Sequence, residues 1–161
     1  MTIEIHTMGD YWASDHDERS ALGELVHRAK DLSDQAAVAV LADRFAQFLD
    51  TIASVDAVVV PMPASPNRSS GMLGAIAGAR ARPILERRNA TVRLRDLAPA
   101  DRPAVAKAGG YEIAGSCRGV DVVLFDDVVL TGTTLRHVGD LLLAAGAASV
   151  VGVAVARTRR R

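Results

Sequence analysis

Two adjacent acids and a threonine-rich turn lie close together in the second half of the chain, and together they could do chemistry. Asp126-Asp127 follows an apolar run, and Thr131-Gly132-Thr133-Thr134 precedes an apolar helical pattern. Ionised carboxylates only accept hydrogen bonds, so a vicinal diol is a natural partner, and a ligand-bound Mg²⁺ is another. Hydroxyls, a glycine and the unpaired amides of a helix start suit a phosphate. A sugar 5-phosphate carries both kinds of group.

Each half of this arrangement also has an ordinary structural explanation. The threonines can cap a helix in a tight turn, and the acids can form a solvent-exposed pair. Those roles account for either half but leave the combination unexplained. Successive side chains of a strand face opposite sides. We therefore expect the strand to end near Phe125, so that both carboxylates can turn towards one cleft.

Apolar runs that alternate with helical patterns predict the elements that position these residues. This alternation is typical of an α/β fold with a parallel twisted sheet flanked by helices. In such sheets ligands bind at the carboxyl ends of strands, which here means the loops after Val60 and Phe125. Residues 85–110 show no sustained period and are expected to form a long loop with a marginal strand. Strands are expected at 57–60, 111–113, 120–126 and 149–158, and helices are expected from Ser20, Asp34, Gly71 and Thr134.

Length and composition narrow the class of protein. The chain of 161 residues is expected to form a single domain, and 49% hydrophobic residues favour a globular fold. It has 19 basic and 19 acidic residues, so its net charge does not favour a nucleic-acid partner. No apolar run reaches the roughly 18 residues of a membrane helix, and the N-terminus is unlike a signal peptide. With a single cysteine, Cys117, no disulfide framework or Cys-cluster zinc site is expected, which is compatible with a cytoplasmic location.

The stretch VVLFDDVVLTGTT, residues 122–134, resembles the phosphoribosyl-pyrophosphate (PRPP) signature of type I phosphoribosyltransferases at all thirteen positions. The resemblance extends to the ComF-like branch of that family, over roughly residues 20–158. It is carried by ALGELVHRAKDLSDQAAVAVLADRFAQFL, by AVVVPMPASPNR and by the C-terminal half from AGGYEIAG onwards. That branch often has an N-terminal zinc-binding cysteine cluster, which this chain lacks.

The resemblance implies a type I phosphoribosyltransferase-like fold and a role for each matching residue. Asp126 and Asp127 would be the catalytic pair, holding the ribose hydroxyls of PRPP and easing positive charge at the anomeric carbon. Mg²⁺ would be the cofactor, held mainly by ligand and water, with no protein residue as a metal ligand. The 5-phosphate would be bound by Leu130, Thr131, Gly132, Thr133 and Thr134. The pyrophosphate would be bound by Pro61, Met62, Pro63, Ala64 and Ser65, with Arg68 just beyond.

Two further segments are assigned by the same resemblance. Residues 86–109 would be a flexible loop that closes over the site, with Arg93, Arg95 and Arg102 as candidates for contacting pyrophosphate. A solvated basic loop is the other interpretation of that segment. Residues 1–20 are set apart as an N-terminal extension that could act as a hood over the acceptor.

The resemblance implies an enzyme that uses Mg²⁺-PRPP and displaces pyrophosphate with an acceptor that the sequence does not identify. Two alternatives stay open: a non-catalytic regulator that binds PRPP or a nucleotide, and a ComF-like accessory protein in DNA uptake. The oligomeric state also stays open, and small size with apolar helices favours a homodimer. No membrane partner is expected.

Overall fold

A computed structural model describes residues 3–12, 20–64, 71–87 and 110–159. These residues form seven strands, four α-helices and a short 3₁₀ turn at Gly78–Arg80. In chain order the elements are β1 Ile5–Thr7, β2 Asp10–Trp12, α1 Ala21–Asp31, α2 Gln35–Ile52, β3 Val58–Pro61, α3 Gly71–Ala77, β4 Leu85–Arg87, β5 Tyr111–Ile113, β6 Asp121–Val129, α4 Thr133–Ala144 and β7 Ser149–Arg159.

The main sheet is parallel, in the order β1, β7, β6, β3, with β2 also paired to β7 beyond β1. Pro61 of β3 lies opposite Phe125 of β6, and Phe125 lies opposite Val153 of β7. The amide of Met62 donates to the carbonyl of Phe125 at 2.7 Å. The carboxyl ends of the adjacent strands β3 and β6 therefore lie side by side. Strands β4 and β5 form a separate antiparallel pair.

Helices cover both faces of the sheet. On one face, Val123 and Phe125 pack with apolar residues of α1, α2 and α3. The ring of Phe125 stacks on Phe45 of α2, with 4.0 Å between ring centroids. On the other face, Val122 and Leu124 pack with apolar residues of α4. Because β6 is buried on both faces, its side chains form a continuous apolar run, as the sequence predicted.

Side-chain caps set the starts of the first two helices where the sequence predicted them. The Oγ of Ser20 accepts from the amide of Gly23 at 3.0 Å, and a carboxylate oxygen of Asp34 accepts from the first-turn amides of α2. Arg28 donates to the other carboxylate oxygen of Asp34, and this contact holds the pKa of Asp34 below its ordinary value. The cap of α2 is thereby tied to α1.

The α/β class with a parallel sheet flanked by helices is confirmed, and three boundaries differ from expectation. Strands β1 and β2 were not predicted, because three-residue segments carry too little periodicity to be recognised. Strand β6 runs on to Val129 instead of ending near Phe125. The marginal strand expected between residues 85 and 110 is β4, at the very start of that segment. Among the described residues, no helix has the length and hydropathy needed to cross a membrane.

Candidate functional site

The acid pair lies inside strand β6, which corrects the expectation that the strand ends before it. Strand β6 runs four residues beyond Phe125, but its backbone is irregular at the pair. The amide of Asp127 bonds the Oδ1 of Asp126 at 2.8 Å, and the amide of Val128 bonds the Oδ1 of Asp127 at 2.7 Å. Two consecutive amides thus bond local carboxylates, a pattern that competes with regular strand pairing.

The irregularity explains how neighbouring strand residues can serve one site. Phe125 packs against the core cluster under α1 and α2, and Val128 packs against that same cluster. Residues three apart on a regular strand face opposite sides, so the alternation of side chains is interrupted at Asp126-Asp127, although the pairing with β7 keeps the same register on both sides of the pair. The two carboxyl groups are close enough for the charge of Asp127 to raise the pKa of Asp126. They therefore form a pair, although the strand continues through them.

Burial and the neighbouring charge raise the pKa of Asp126. Burial is the main cause that raises the pKa of Asp126 from 3.8 to about 7, followed by the negative charge of Asp127. Lys30 acts in the opposite direction, because its positive charge favours the ionised form. Asp126 therefore exchanges its proton near neutral pH, unlike a solvent-exposed acid. The interpretation of the pair as an exposed acidic patch does not fit this environment.

Lys30, in the last turn of α1, forms an ion pair with the Oδ2 of Asp127. Its side chain is 27% exposed and that of Asp127 is 17% exposed, so the ion pair is partly shielded from solvent. The sequence analysis did not select Lys30, because a lysine near a helix end is ordinarily a solvated residue that complements the helix dipole. Only the packing of α1 against the sheet brings Lys30 to the acids.

The loop after β3 lies beside the acid pair but presents fewer amides than expected. Pro61 and Pro63 have no N–H, and the amide of Met62 is occupied by the carbonyl of Phe125. The side chain of Met62 is buried in the core under α4. Among the described residues of this loop, Ala64 is left as the one that can offer its amide to a ligand.

The loop between β6 and α4 forms an open helix start. Its N-cap is Gly132, which makes no side-chain cap bond. The hydroxyls of Thr131 and Thr133 bond each other at 2.9 Å, and Thr131 reaches the amide of Thr133 only at 3.4 Å. Thr131, Thr133, Thr134 and Leu130 are all exposed. The threonine side chains therefore do not form a strong helix cap. The first-turn amides of α4 can bind an anion.

Gly132 and Arg136 hold the shape of this loop. Gly132 has a φ of 76°, a left-handed conformation that disfavours other residues. The guanidinium of Arg136 donates to the carbonyl of Thr131 at 2.8 Å, and the backbone amide of Arg136 donates to the carbonyl of Gly132 at 2.9 Å. Arg136 was not predicted as a site residue, although its place in the first turn of α4 was a usable signal.

Substituting Gly132→Ala is expected to destabilise the protein by about 1–3 kcal/mol and to displace the loop. The left-handed φ is the main cause, and the new Cβ would also lie 2.5 Å from the Cδ1 of Ile5. Urea unfolding monitored by circular dichroism would measure the change. Gly74→Ala is the matched control, because it lies in α3 with no atom within 4 Å of the added Cβ. The control should gain up to about 1 kcal/mol. Equal stability of the two variants would contradict the role assigned to Gly132.

Strands β4 and β5 form the base of the segment expected to be a flexible loop. The guanidinium of Arg87 lies 5.9 Å from the ring centre of Tyr111. Burial raises the pKa of the Tyr111 hydroxyl, while the charge of Arg87 lowers it and that of Asp126 raises it. Tyr111 is therefore near the acid pair, and it connects the base of the loop to the site. Sequence reasoning missed Tyr111, whose only signal was its rarity in a chain with 4% aromatic residues.

The described part of the predicted site lies at one edge of the sheet. The acid pair, residues 61–64 and residues 130–134 all follow or end the adjacent strands β3 and β6. Other predicted residues lie outside the described residues: Ser65, Arg68, Arg93, Arg95 and Arg102. Their roles, and the role of residues 1–20 as a hood, stay predictions. Within the described residues, no three histidine, cysteine or acidic side chains are grouped to hold a metal ion.

Comparison with known protein families bears on this edge of the sheet. Residues 87–161 match the family described as phosphoribosyl transferase domain. The matched region contains the acid pair, the threonine loop, α4 and β7. This match shows that the second half of the chain is similar to phosphoribosyltransferase domains. A search among curated proteins finds no match.

Proposed function

We propose that the protein is a phosphoribosyltransferase that binds Mg²⁺-PRPP and displaces pyrophosphate from the anomeric carbon with an acceptor nucleophile. One observation carries the proposal: a partly buried acid pair is followed, four residues later, by an open helix start at the carboxyl edge of the sheet. Carboxylates accept from hydroxyls, and a helix start binds phosphate. A ribose 5-phosphate unit has both groups, and the family match agrees with it.

In this proposal the residues of the chain position the substrate. The hydroxyls of Thr131, Thr133 and Thr134 and the amides of the first turn of α4 bind the 5-phosphate. Asp126 and Asp127 accept hydrogen bonds from the ribose 2- and 3-hydroxyls. When the anomeric carbon becomes positively charged, the carboxylates stabilise it by charge. The bond to pyrophosphate breaks as the acceptor's bond forms, and pyrophosphate leaves with the electron pair.

The residues present fit a Mg²⁺ ion that arrives with the substrate. Mg²⁺ is commonly held by one or two carboxylates together with substrate phosphates and water. The described residues contain no acidic group that would hold the ion by itself, so the substrate phosphates and water would hold it beside Asp126 and Asp127. The ion would neutralise charge on the leaving pyrophosphate. Ala64 and its neighbours in the loop after β3 would then contact the pyrophosphate, and residues 86–109 would close over it.

We also propose that the chain belongs to the ComF-like branch, with an acceptor that the sequence does not identify. The ComF-like resemblance is carried by the sequence segments quoted above, and the neutral net charge does not favour the DNA-uptake role that this branch suggests. A non-catalytic PRPP-binding regulator would retain the same acid pair and threonine loop. Turnover separates the regulator from the enzyme.

Calorimetric titration of Mg²⁺-PRPP into the purified protein tests the proposed function. We expect saturable binding of PRPP, weaker binding of ribose 5-phosphate, and competition between the two, because they share the threonine loop. Pyrophosphate release would then be measured against a panel of nucleobases and amines. Binding without turnover for any acceptor would favour the regulator. A folded protein that binds neither compound would overturn the proposal.

A further inference from the structure

Lys30 contacts the acid pair, was not predicted from the sequence, and lies outside the region that matches the family. Its ammonium contacts the Oδ2 of Asp127 and lowers the pKa of Asp126 through its charge. Both partners of the ion pair are less than one-third exposed. Lys30 therefore supplies positive charge at the place where two neighbouring carboxylates would otherwise repel each other.

Helix α1 holds Lys30 at the pair from a fixed anchor on the sheet. At the start of α1, the Oγ of Ser20 donates to the carbonyl of Asp10 in β2 at 2.8 Å. Ten residues of helix span about 15 Å. The spacing of two strands, from β2 across β7 to β6, is about 10 Å. The helix thus crosses the sheet from its edge to its centre, and its length delivers Lys30 to Asp127.

The far end of α1 is anchored as well. Arg28 donates to Asp34, the N-cap of α2, and Val26 and Ala29 are buried in the core under the helices. A lysine on a freely moving segment would lose backbone entropy in addition to side-chain entropy on forming this ion pair. Here the backbone that carries Lys30 is already fixed, so the ammonium is kept close to the acids.

We propose that Lys30 is a tethered counter-ion that occupies the cation position of the Asp126-Asp127 pair, so that a divalent ion enters the site only as part of the pyrophosphate complex. The part of this inference that concerns pyrophosphate rests on the proposed function. The other part does not depend on that function: without any ligand, the cation beside the two carboxylates is the ammonium of Lys30.

The charges explain why a lysine would exclude a free divalent ion. Two carboxylates are enough for a hydrated Mg²⁺ or Mn²⁺, since both ions prefer oxygen ligands and water. A fixed ammonium beside the carboxylates repels such an ion and uses the lone pairs that would bind it. When Mg²⁺ arrives on PRPP, the phosphates already neutralise it. The carboxylates then stay available for the ribose hydroxyls.

Binding of Mn²⁺ alone, followed by electron paramagnetic resonance, tests the inference. The wild type is expected to bind Mn²⁺ weakly, in the millimolar range at best. In Lys30→Met, which keeps the chain length and removes the charge, Mn²⁺ should bind at least about tenfold more tightly. Lys30→Arg should restore weak binding, because the positive charge returns. Lys30→Gln provides a second neutral variant if the methionine variant does not fold.

A matched control separates a local effect from a change in net charge. Arg118→Gln also removes one positive charge, but Arg118 is exposed and precedes the start of β6, at the end of the strand opposite the acid pair. Its Mn²⁺ affinity should equal that of the wild type. Tight Mn²⁺ binding by the wild type, or neutral Lys30 variants that bind no better than the wild type, would overturn the inference.

Failure of this inference can be told apart from failure of the proposed function. The Mn²⁺ titrations contain no PRPP, whereas the proposed function depends on PRPP titration of the wild type. If PRPP does not bind but the neutral Lys30 variants gain Mn²⁺ affinity, Lys30 is a counter-ion in a site with another ligand. If PRPP binds and the variants gain nothing, the function stands and the role of Lys30 falls.

Discussion

The double variant Asp126→Asn/Asp127→Asn is expected to bind Mg²⁺-PRPP at least about 100-fold more weakly than the wild type. Hydrogen bonds to charged groups contribute about 1.5–3 kcal/mol each, and each 1.4 kcal/mol changes affinity tenfold. Asparagine keeps the size of the side chain but carries no negative charge. Its amide also presents N–H donors where the ribose hydroxyls need acceptors.

Calorimetric titration of wild type and variant under identical Mg²⁺ concentrations would measure this loss. The control is Asp121→Asn, at the opposite end of the same strand, where the carboxylate accepts from Ser149. That variant should bind PRPP like the wild type. If a folded double variant kept its affinity for PRPP, the acid pair would not contribute to the binding site, even if the threonine loop binds phosphate.

The single variant Asp126→Asn is expected to be more stable than the wild type at pH 8, by at most about 4 kcal/mol. The folded-state pKa of Asp126 is about 7, above its ordinary value of 3.8. Between these two pH values the folded protein retains a proton that the unfolded chain has lost. Stability therefore falls as the pH rises from 4 to 7, and the cost is complete above pH 7. The two pKa values differ by about 3, and each pKa unit corresponds to 1.36 kcal/mol.

Urea unfolding of wild type and Asp126→Asn at pH 4.5 and pH 8 would measure this difference. The stabilisation by asparagine should be small at pH 4.5, where Asp126 is protonated in the folded state, and largest at pH 8. Asp121→Asn again serves as the control, because the exposed Asp121 should show no comparable gain. A difference that does not depend on pH would mean that Asp126 does not keep its proton on folding.

The two results together would identify a residue kept for binding at the expense of stability. One substitution at Asp126 should improve the fold, while neutralising both acids should remove the ligand. Sites that hold charge in partly buried surroundings commonly show this opposition. Urea unfolding of the double variant, in which Lys30 also loses its partner, would then show whether the loss of binding occurs in a folded protein.

Several features of the fold follow from local residues alone. Ser20 and Asp34 mark the starts of α1 and α2, because their side chains accept from the amides that the first turn leaves unpaired. The apolar run before Asp126 predicts a strand buried on both faces, and Gly132 marks a turn before α4. The spacing of acids and threonines along the chain was also sufficient to suggest a sugar phosphate.

Other features depend on residues far apart in the chain. The short strands β1 and β2 form because their backbones pair with β7. A segment of three residues is too short to show a periodicity from which a strand could be predicted. The reduced number of amides in the loop after β3 follows from a bond between Met62 and Phe125. Such pairings form only when the strands come together in the sheet, so no local sequence pattern predicts them.

The sequence by itself determined the α/β class, the caps of α1 and α2 and the set of groups proposed to meet a ligand, because periodicity, capping and side-chain chemistry are local properties. The tertiary structure decided that the carboxyls of Asp126 and Asp127 interact although they are neighbours on a strand. It also decided that burial raises the pKa of Asp126, and that Lys30 reaches the pair from almost one hundred residues away. Burial and charge proximity depend on the packing of α1 and β6, and these two elements meet only in the folded chain.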